Sequence, residues 1–139
     1  MTEGNRVALP KKHRDQIKSN RVILTKGFEK CVLVYEYQDW SQKAQKQIDN
    51  LSEANLASVT MPRGGANVIK KSDLERFLYT SAVEATIDAQ GRVVLSPNLL
   101  EYAGIKDETA IVGVGDHIEI WNRAVWQEHL KNISQIVAE

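Results

Sequence analysis

An internal repeat constrains this chain more than any other feature. Sliding the 139-residue sequence along itself by 86 positions places Arg6 on Arg92, Asn5 on Gly91, Gly27 on Gly113, Cys31 on His117, Tyr35 on Trp121 and Trp40 on Trp126. Pro10 and Pro97 stand one residue off that register, so a single-residue gap falls in the short turn ahead of them. The chain is therefore read as two imperfect copies of one small unit.

The second copy shows what the unit is. Val83, Ala85 and Ile87 alternate with Glu84 and Thr86, the period of a half-buried strand. DAQG at 88–91 is a turn in which Asp88 can accept from backbone N–H groups just ahead and Gly91 tolerates positive φ. Arg92 to Leu95 then return as the partner strand of that turn. Ser96 as N-cap, Pro97 at the first helical position and Gly104 as a stop delimit a helix of about two turns. Residues 109–114 and 117–121 read as two strands around Gly115 and Asp116, with Ile118 and Ile120 on one face. A longer helix follows in each copy. Trp126, Leu130, Ile133 and Val137 recur at helical spacing, as do Trp40, Ala44, Ile48 and Leu51, and either stripe could face the core or a neighbouring subunit. Between the copies, Ser72 and Glu75 form a capping box ahead of Leu74, Phe77 and Leu78, which predicts a connecting helix. Pro62, Gly64 and Gly65 make residues 52–66 the expected linker. The organisation is a first module at 1–51, linker and connecting helix at 52–80, and a second module at 81–139.

Composition narrows the function. With 42% hydrophobic and 26% charged residues and no apolar run approaching a membrane span, the sequence reads as a soluble, folded chain in the cytoplasm. It has no signal-peptide pattern, and its single cysteine excludes an internal disulfide. His13, His117 and His129 lack metal-ligand spacing, and Cys31, with no cysteine partner, is read as a packed small side chain. GVGD at 113–116 lacks the further glycine of a dinucleotide fingerprint and leads into a strand, so it is read as a hairpin turn. Neither a cofactor nor a metal is implied, and no nucleophile or base can be named for an enzyme.

Charge is where the copies diverge. The chain is neutral overall, but residues 1–50 hold ten basic and six acidic side chains and residues 51–139 eight and twelve. The first short helix carries Lys11, Lys12, His13 and Arg14 where the second carries Leu99, Leu100 and Glu101. A basic run on a short helix is commonly a solvated face. Beside an arginine at a turn, it could equally meet a nucleic acid, since guanidinium forks onto guanine or phosphate while lysines neutralise further phosphates.

The residues that repeat are also those of a known family. DAQGRVVLSPNLLEYAGI, preceded by RFLYTSAVEATI and followed by IVGVGDHIEIW, together with GNRVALPKKHR and LTKGFEKCVLVYEYQDW in the first copy, resemble the bacterial MraZ family across nearly the whole chain. That resemblance implies an α+β, β-rich fold of tandem AbrB-like swapped-hairpin modules forming a pseudo-twofold β-barrel with flanking helices. It also implies a DNA-binding transcriptional regulator of the division and cell-wall gene cluster, with subunits assembled into a ring on repeated double-stranded promoter sites. By matching position, Arg6 is the family's first-module turn arginine and Arg92 its second-module counterpart. The DNA-contacting set is then Gly4, Asn5, Arg6, Lys11, Lys12, Arg14 and Arg92, with Arg6 foremost because the basic residues adjoin it in sequence.

One departure stands out. Only Met1, Thr2 and Glu3 precede Gly4, and Thr2 occupies the place of the turn aspartate, so a first strand equivalent to residues 82–87 is not found. Either a native upstream segment is lacking or the first half-barrel is incomplete, with a sheet edge left unpaired. The alternative function is a structural or protein-interaction oligomer that does not read DNA.

Overall fold

Strand pairing follows the repeat. The computed structural model describes residues 5–17, 19–53 and 70–138. They form β1 (Arg6–Ala8), α1 (Lys11–Arg14), β2 (Arg21–Lys26), β3 (Val32–Glu36), α2 (Trp40–Glu53), α3 (Lys71–Thr80), β4 (Val83–Thr86), β5 (Arg92–Val94), α4 (Pro97–Ala103), β6 (Thr109–Gly113), β7 (Ile118–Asn122) and α5 (Arg123–Ala138). The expected linker falls outside the described residues, apart from 52 and 53 at the end of α2.

β1 and β5, equivalent strands of the two copies, pair antiparallel with each other. Val7 lies opposite its own repeat mate Val93, flanked by Arg6 opposite Val94 and Ala8 opposite Arg92. The same exchange governs the next bonds: Leu9 N–H donates to the Gly91 carbonyl at 2.9 Å, and its mate Leu95 N–H to the Asn5 carbonyl at 3.0 Å. β3 and β7, also equivalents, pair about Leu33 opposite Glu119. The sequence reading made β5 the partner of β4. Instead β4 pairs with β2 of the first copy, Leu24 opposite Val83 and Val22 opposite Ala85. The 88–91 turn closes locally, Asp88 N–H donating to the Arg92 carbonyl at 2.9 Å, but its two arms then diverge into different sheets. Each arm gains a partner strand and a core face from the other copy, which a local hairpin would not supply.

The strands make a two-stranded ribbon, β1-β5, and a five-stranded antiparallel sheet in the order β4-β2-β3-β7-β6. No strand pairing closes them into one barrel among the described residues. β2 is flanked by β3 and β4, whereas its equivalent β6 pairs with β7 alone among the described residues.

The sheet is buried on both faces. One core holds Val7, Leu9, Val22, Leu24, Val93, Leu95, Leu99, Ile118 and Ile120, gathering the ribbon and α4 over the sheet. On the opposite face, Leu33, Tyr35 and Trp121 meet Ala44 and Ile48 of α2 and Leu74 and Leu78 of α3. All five residues of β3 are buried, as its continuous VLVYE run requires.

Local signals hold where their partners are local. Ser96 Oγ accepts from Leu99 N–H, Pro97 opens α4, and Gly104 ends it at φ +64°. The capping box does not form. Lys70 is the N-cap of α3, without a side-chain cap, and Ser72 lies inside the helix. Burial of Leu74 and Leu78, with Lys71 Nζ 2.8 Å from Asp49, fixes this helix instead. The glycine match between the copies also shifts. Gly27 N–H donates to the Cys31 carbonyl and Val114 N–H to the His117 carbonyl, so Gly27 corresponds to Val114 and not Gly113. The second copy gains one residue ahead of Pro97 and gives one up at this hairpin tip.

The two trailing helices differ. Ala44 and Ile48 of α2 are fully buried. In α5 the rings of Trp126 and His129 reach the core, 5.3 and 5.0 Å from Trp121 between centroids, while Leu130, Ile133 and Val137 stand 44%, 39% and 79% exposed. Ala44 and Ile48 of the first stripe face the core, whereas Leu130, Ile133 and Val137 of the second do not.

A polar network sits between sheet and helices. His117 Nδ1 lies 2.8 Å from Asp116 Oδ1 and its Nε2 3.2 Å from Glu119 Oε2, while Trp121 Nε1–H donates to Glu119 Oε1 at 2.8 Å. Burial opposes charge on His117, but its bonds to Glu119 and Asp116 prevail and raise its pKa above 6.5. Burial likewise opposes charge on Glu119, and bonds from His117 and Trp121 bring it below 4.5.

Two predictions follow from this packing. Val7→Ala and Val93→Ala should each destabilise by about 2 kcal/mol, two methyl groups lost from a fully packed site. Denaturant melts of the single and double variants should show non-additive costs, because the side chains oppose each other across one ladder. A group with a raised folded pKa stabilises fully below its unfolded value and ceases to do so as pH rises through the folded one. The stability advantage of parent over His117→Gln should therefore be complete between about pH 4.5 and 6.5, where Glu119 is ionised and the imidazole protonated, and shrink above that range. A difference that stays constant as pH rises above that range would remove the imidazolium from the network.

Candidate nucleic-acid interface

The ribbon sets out its chemistry by alternation. Val7 and Val93 point inward at 1% and 0% exposure, so Arg6, Ala8, Arg92 and Val94 share the outer face. Arg6 and Arg92 stand diagonally across it, one on each strand. The turns feeding the two strands are equivalent: Asn5 has φ +61° and its mate Gly91 φ +80°. Asparagine tolerates this region better than other residues bearing a Cβ. Gly4 lies outside the described residues.

The second turn is bonded throughout. Asp88 Oδ1 accepts from the N–H groups of Gln90 and Arg92, both at 2.9 Å, and its Oδ2 lies 3.1 Å from Arg92 Nε. The Arg92 N–H, aided by that of Gln90 and the guanidinium, holds this carboxyl below its ordinary pKa. Arg92 is thereby oriented and half-buried, whereas Arg6 is exposed.

Antiparallel pairing exchanges the neighbours of the two arginines. In sequence the basic helix follows Arg6. In space, β1 runs toward the second turn: Ala8 sits opposite Arg92, Leu9 bonds to Gly91, and α1 begins there. By the same exchange, Leu95 bonds to Asn5, so apolar α4 begins beside the first turn. The basic helix of the first copy therefore abuts the arginine turn of the second.

α1 is a single turn, and its residues divide by face. Lys11 and Lys12 are exposed and His13 is buried. The His13 ring covers Gly113, where an added Cβ would fall 2.7 Å from its Cε1, and its Nδ1 has no hydrogen-bond partner. Burial and neighbouring Lys12 push its pKa down. Arg14 was expected among the DNA contacts, but it is half-buried. Its Nε–H donates to the Leu9 carbonyl at 2.9 Å, and its guanidinium occupies the space a Cβ on Gly91 would enter, at 2.7 to 2.8 Å. Sequence reasoning missed this brace, since no local signal turns one cation of a four-residue helix inward.

Among the described residues, no group of three or more His, Cys, Asp or Glu side chains is placed to hold a metal. Cys31 is buried, and desolvation with Glu119 and Glu29 nearby pushes its thiol pKa up, which disfavours the nucleophilic thiolate. No described helix is long and apolar enough to cross a membrane.

The glycines allow a test of this junction. Gly91→Ala combines a left-handed backbone with a collision at Arg14 and should cost about 2 to 4 kcal/mol. Gly104→Ala, also left-handed but with nothing within 4 Å, should cost only about 1 to 2 kcal/mol. Equal losses in chemical unfolding would deny Arg14 its place against Gly91.

Known proteins resemble the chain along most of its length. The family model described as "MraZ protein, putative antitoxin-like" matches residues 3–60 and 78–138, one segment per repeat copy. The chain is 33% identical to the transcriptional regulator MraZ of Moorella thermoacetica, over 95% of this chain and 82% of that protein. It is 35% identical to that of Thermoanaerobacter pseudethanolicus, over 91% and 78%. With the protein of the same name from Lactobacillus delbrueckii subsp. bulgaricus it shares 35% identity, over 89% and 76%. With both copies matched in order, the chain belongs to the MraZ family.

Proposed function

We propose that this protein is a transcription regulator that binds specific DNA through the β1-β5 ribbon. The observation that carries the reading is the ribbon's outer face, where alternation presents Arg6 and Arg92 together. A two-stranded ribbon fits the DNA major groove, and arginine pairs bidentately with guanine. The similar proteins named transcriptional regulators support the same class of function.

Within this reading, Gly4, Asn5 and Arg6 form the first-turn contact, Arg92, Lys11 and Lys12 belong to the same DNA-binding surface, and Arg14 lies behind it against Leu9 and Gly91. The target is repeated promoter sites of the division and cell-wall gene cluster, met in the cytoplasm at the nucleoid. The ribbon and the five-stranded sheet are the parts of a pseudo-twofold swapped-hairpin barrel. Subunits assemble into a ring, and the apolar stripe of α5, exposed in a single chain, supports contact between subunits.

Arg6→Ala should weaken binding to the DNA upstream of the protein's own gene cluster by about 1 to 3 kcal/mol per site, read by fluorescence anisotropy. The loss multiplies where several subunits engage repeated sites at once. Undiminished binding by the variant would take Arg6 out of the reading edge. Light scattering with and without that DNA tests assembly, and a ring indifferent to every duplex would instead favour the purely structural oligomer.

A further inference from the structure

We propose that the Gly91 end of the ribbon is a composite phosphate clamp, in which Lys11 and Lys12 of the first copy and Arg92 of the second grip one stretch of DNA backbone. It rests on the DNA-binding reading above. In this clamp Arg14 is a positioning residue that joins the two copies and does not itself contact DNA.

Three observations place the parts together. Leu9 binds both sides, its N–H donating to Gly91 and its carbonyl accepting from Arg14 Nε. Arg14 lies against Gly91, its guanidinium in the space that a Cβ there would enter, at a position whose φ of +80° already favours glycine. His13 seats the inner face of α1 on Gly113, which leaves Lys11 and Lys12 outward on a helix that cannot rotate without unseating that ring. The acidic member of the turn, Asp88, is committed to two backbone N–H groups and to Arg92 Nε. Among the described residues, the opposite end has no such set. The residue of α4 that corresponds to Arg14 is Glu101, which is exposed, and the positions of Lys11 and Lys12 are held by Asn98 and Leu99. The two ends of one ribbon thus differ in charge, and the lysines, compact charges on flexible stems, suit phosphate in place of base edges.

The experiment is a salt titration of the full chain with two fluorescein-labelled duplexes, the upstream DNA and a mixed-sequence control. Each phosphate neutralised contributes about 0.9 to the slope of log affinity against log salt. Lys11→Ala/Lys12→Ala should lower that slope by roughly two on both duplexes alike. Arg14→Lys keeps the charge but loses the fork that meets Leu9 and Gly91. It should lose affinity as Arg14→Ala does, while thermal melts confirm that both variants fold. Binding by the parent with a slope unmoved by the lysine pair overturns the clamp and leaves the DNA reading standing. Parental affinity in Arg14→Lys overturns the positioning role, and absence of binding by the parent to either duplex overturns both readings together.

Discussion

The pairing of β1 with β5 is the constraint on which the rest depends. It joins residues 86 positions apart in sequence, and it places Val7 against Val93 at the centre of the main core. From that pairing follow the burial of Leu9 and Leu95, the seating of the short helices at opposite ends of the ribbon and the outward projection of both turn arginines. The five-stranded sheet obeys the same exchange at β3 and β7, so the two layers share one symmetry and reinforce one register. A slip of one residue between β1 and β5 would turn the inward face of the ribbon toward water.

That exchange also determines the electrostatics. A basic helix placed after Arg6 in sequence arrives beside Arg92 in space, while the apolar helix that follows Arg92 arrives beside Asn5. Charge counted along the chain gives the right half of the sequence and the wrong end of the ribbon. The cations within α1 are further sorted by packing: two lysines face solvent, a histidine is buried against a glycine, and an arginine is spent on a carbonyl and the neighbouring turn. Asp88 orders the second turn in a complementary way, fixing Arg92 through three bonds.

Much of the fold was legible in the sequence where both partners of an interaction lie within a few residues. Ser96, Pro97 and Gly104 announced α4, and Asp88 and Gly91 announced their turn, because caps and turns close on their own backbone. The repeat pointed to equivalent strands but not to their mutual pairing, since a strand's pattern states which face is buried and not which strand lies beside it. The capping box at Ser72 failed because the start of α3 is set by Leu74, Leu78 and the Lys71–Asp49 contact, which no local motif encodes. Equating Gly27 with Gly113 failed because residue type outweighed hairpin length in that comparison. At the candidate site, the two arginines were legible from their place after each turn. The inward role of Arg14 was not, because it depends on a glycine in the other copy.

The symmetric register carries a consequence for how such a molecule can vary. Since β1 meets its own equivalent in β5, and β3 its equivalent in β7, one unit alone could bind a second identical unit by the same bonds. In these two strand pairs the copies meet as two subunits of a dimer would. Two identical subunits would be bound to carry the same surface at both ends of the ribbon. Covalent fusion removes that obligation, and this chain uses it: one short helix presents lysines while its counterpart presents Asn98 and Glu101. A symmetric scaffold can therefore offer a partner a directional face, with a defined head and tail.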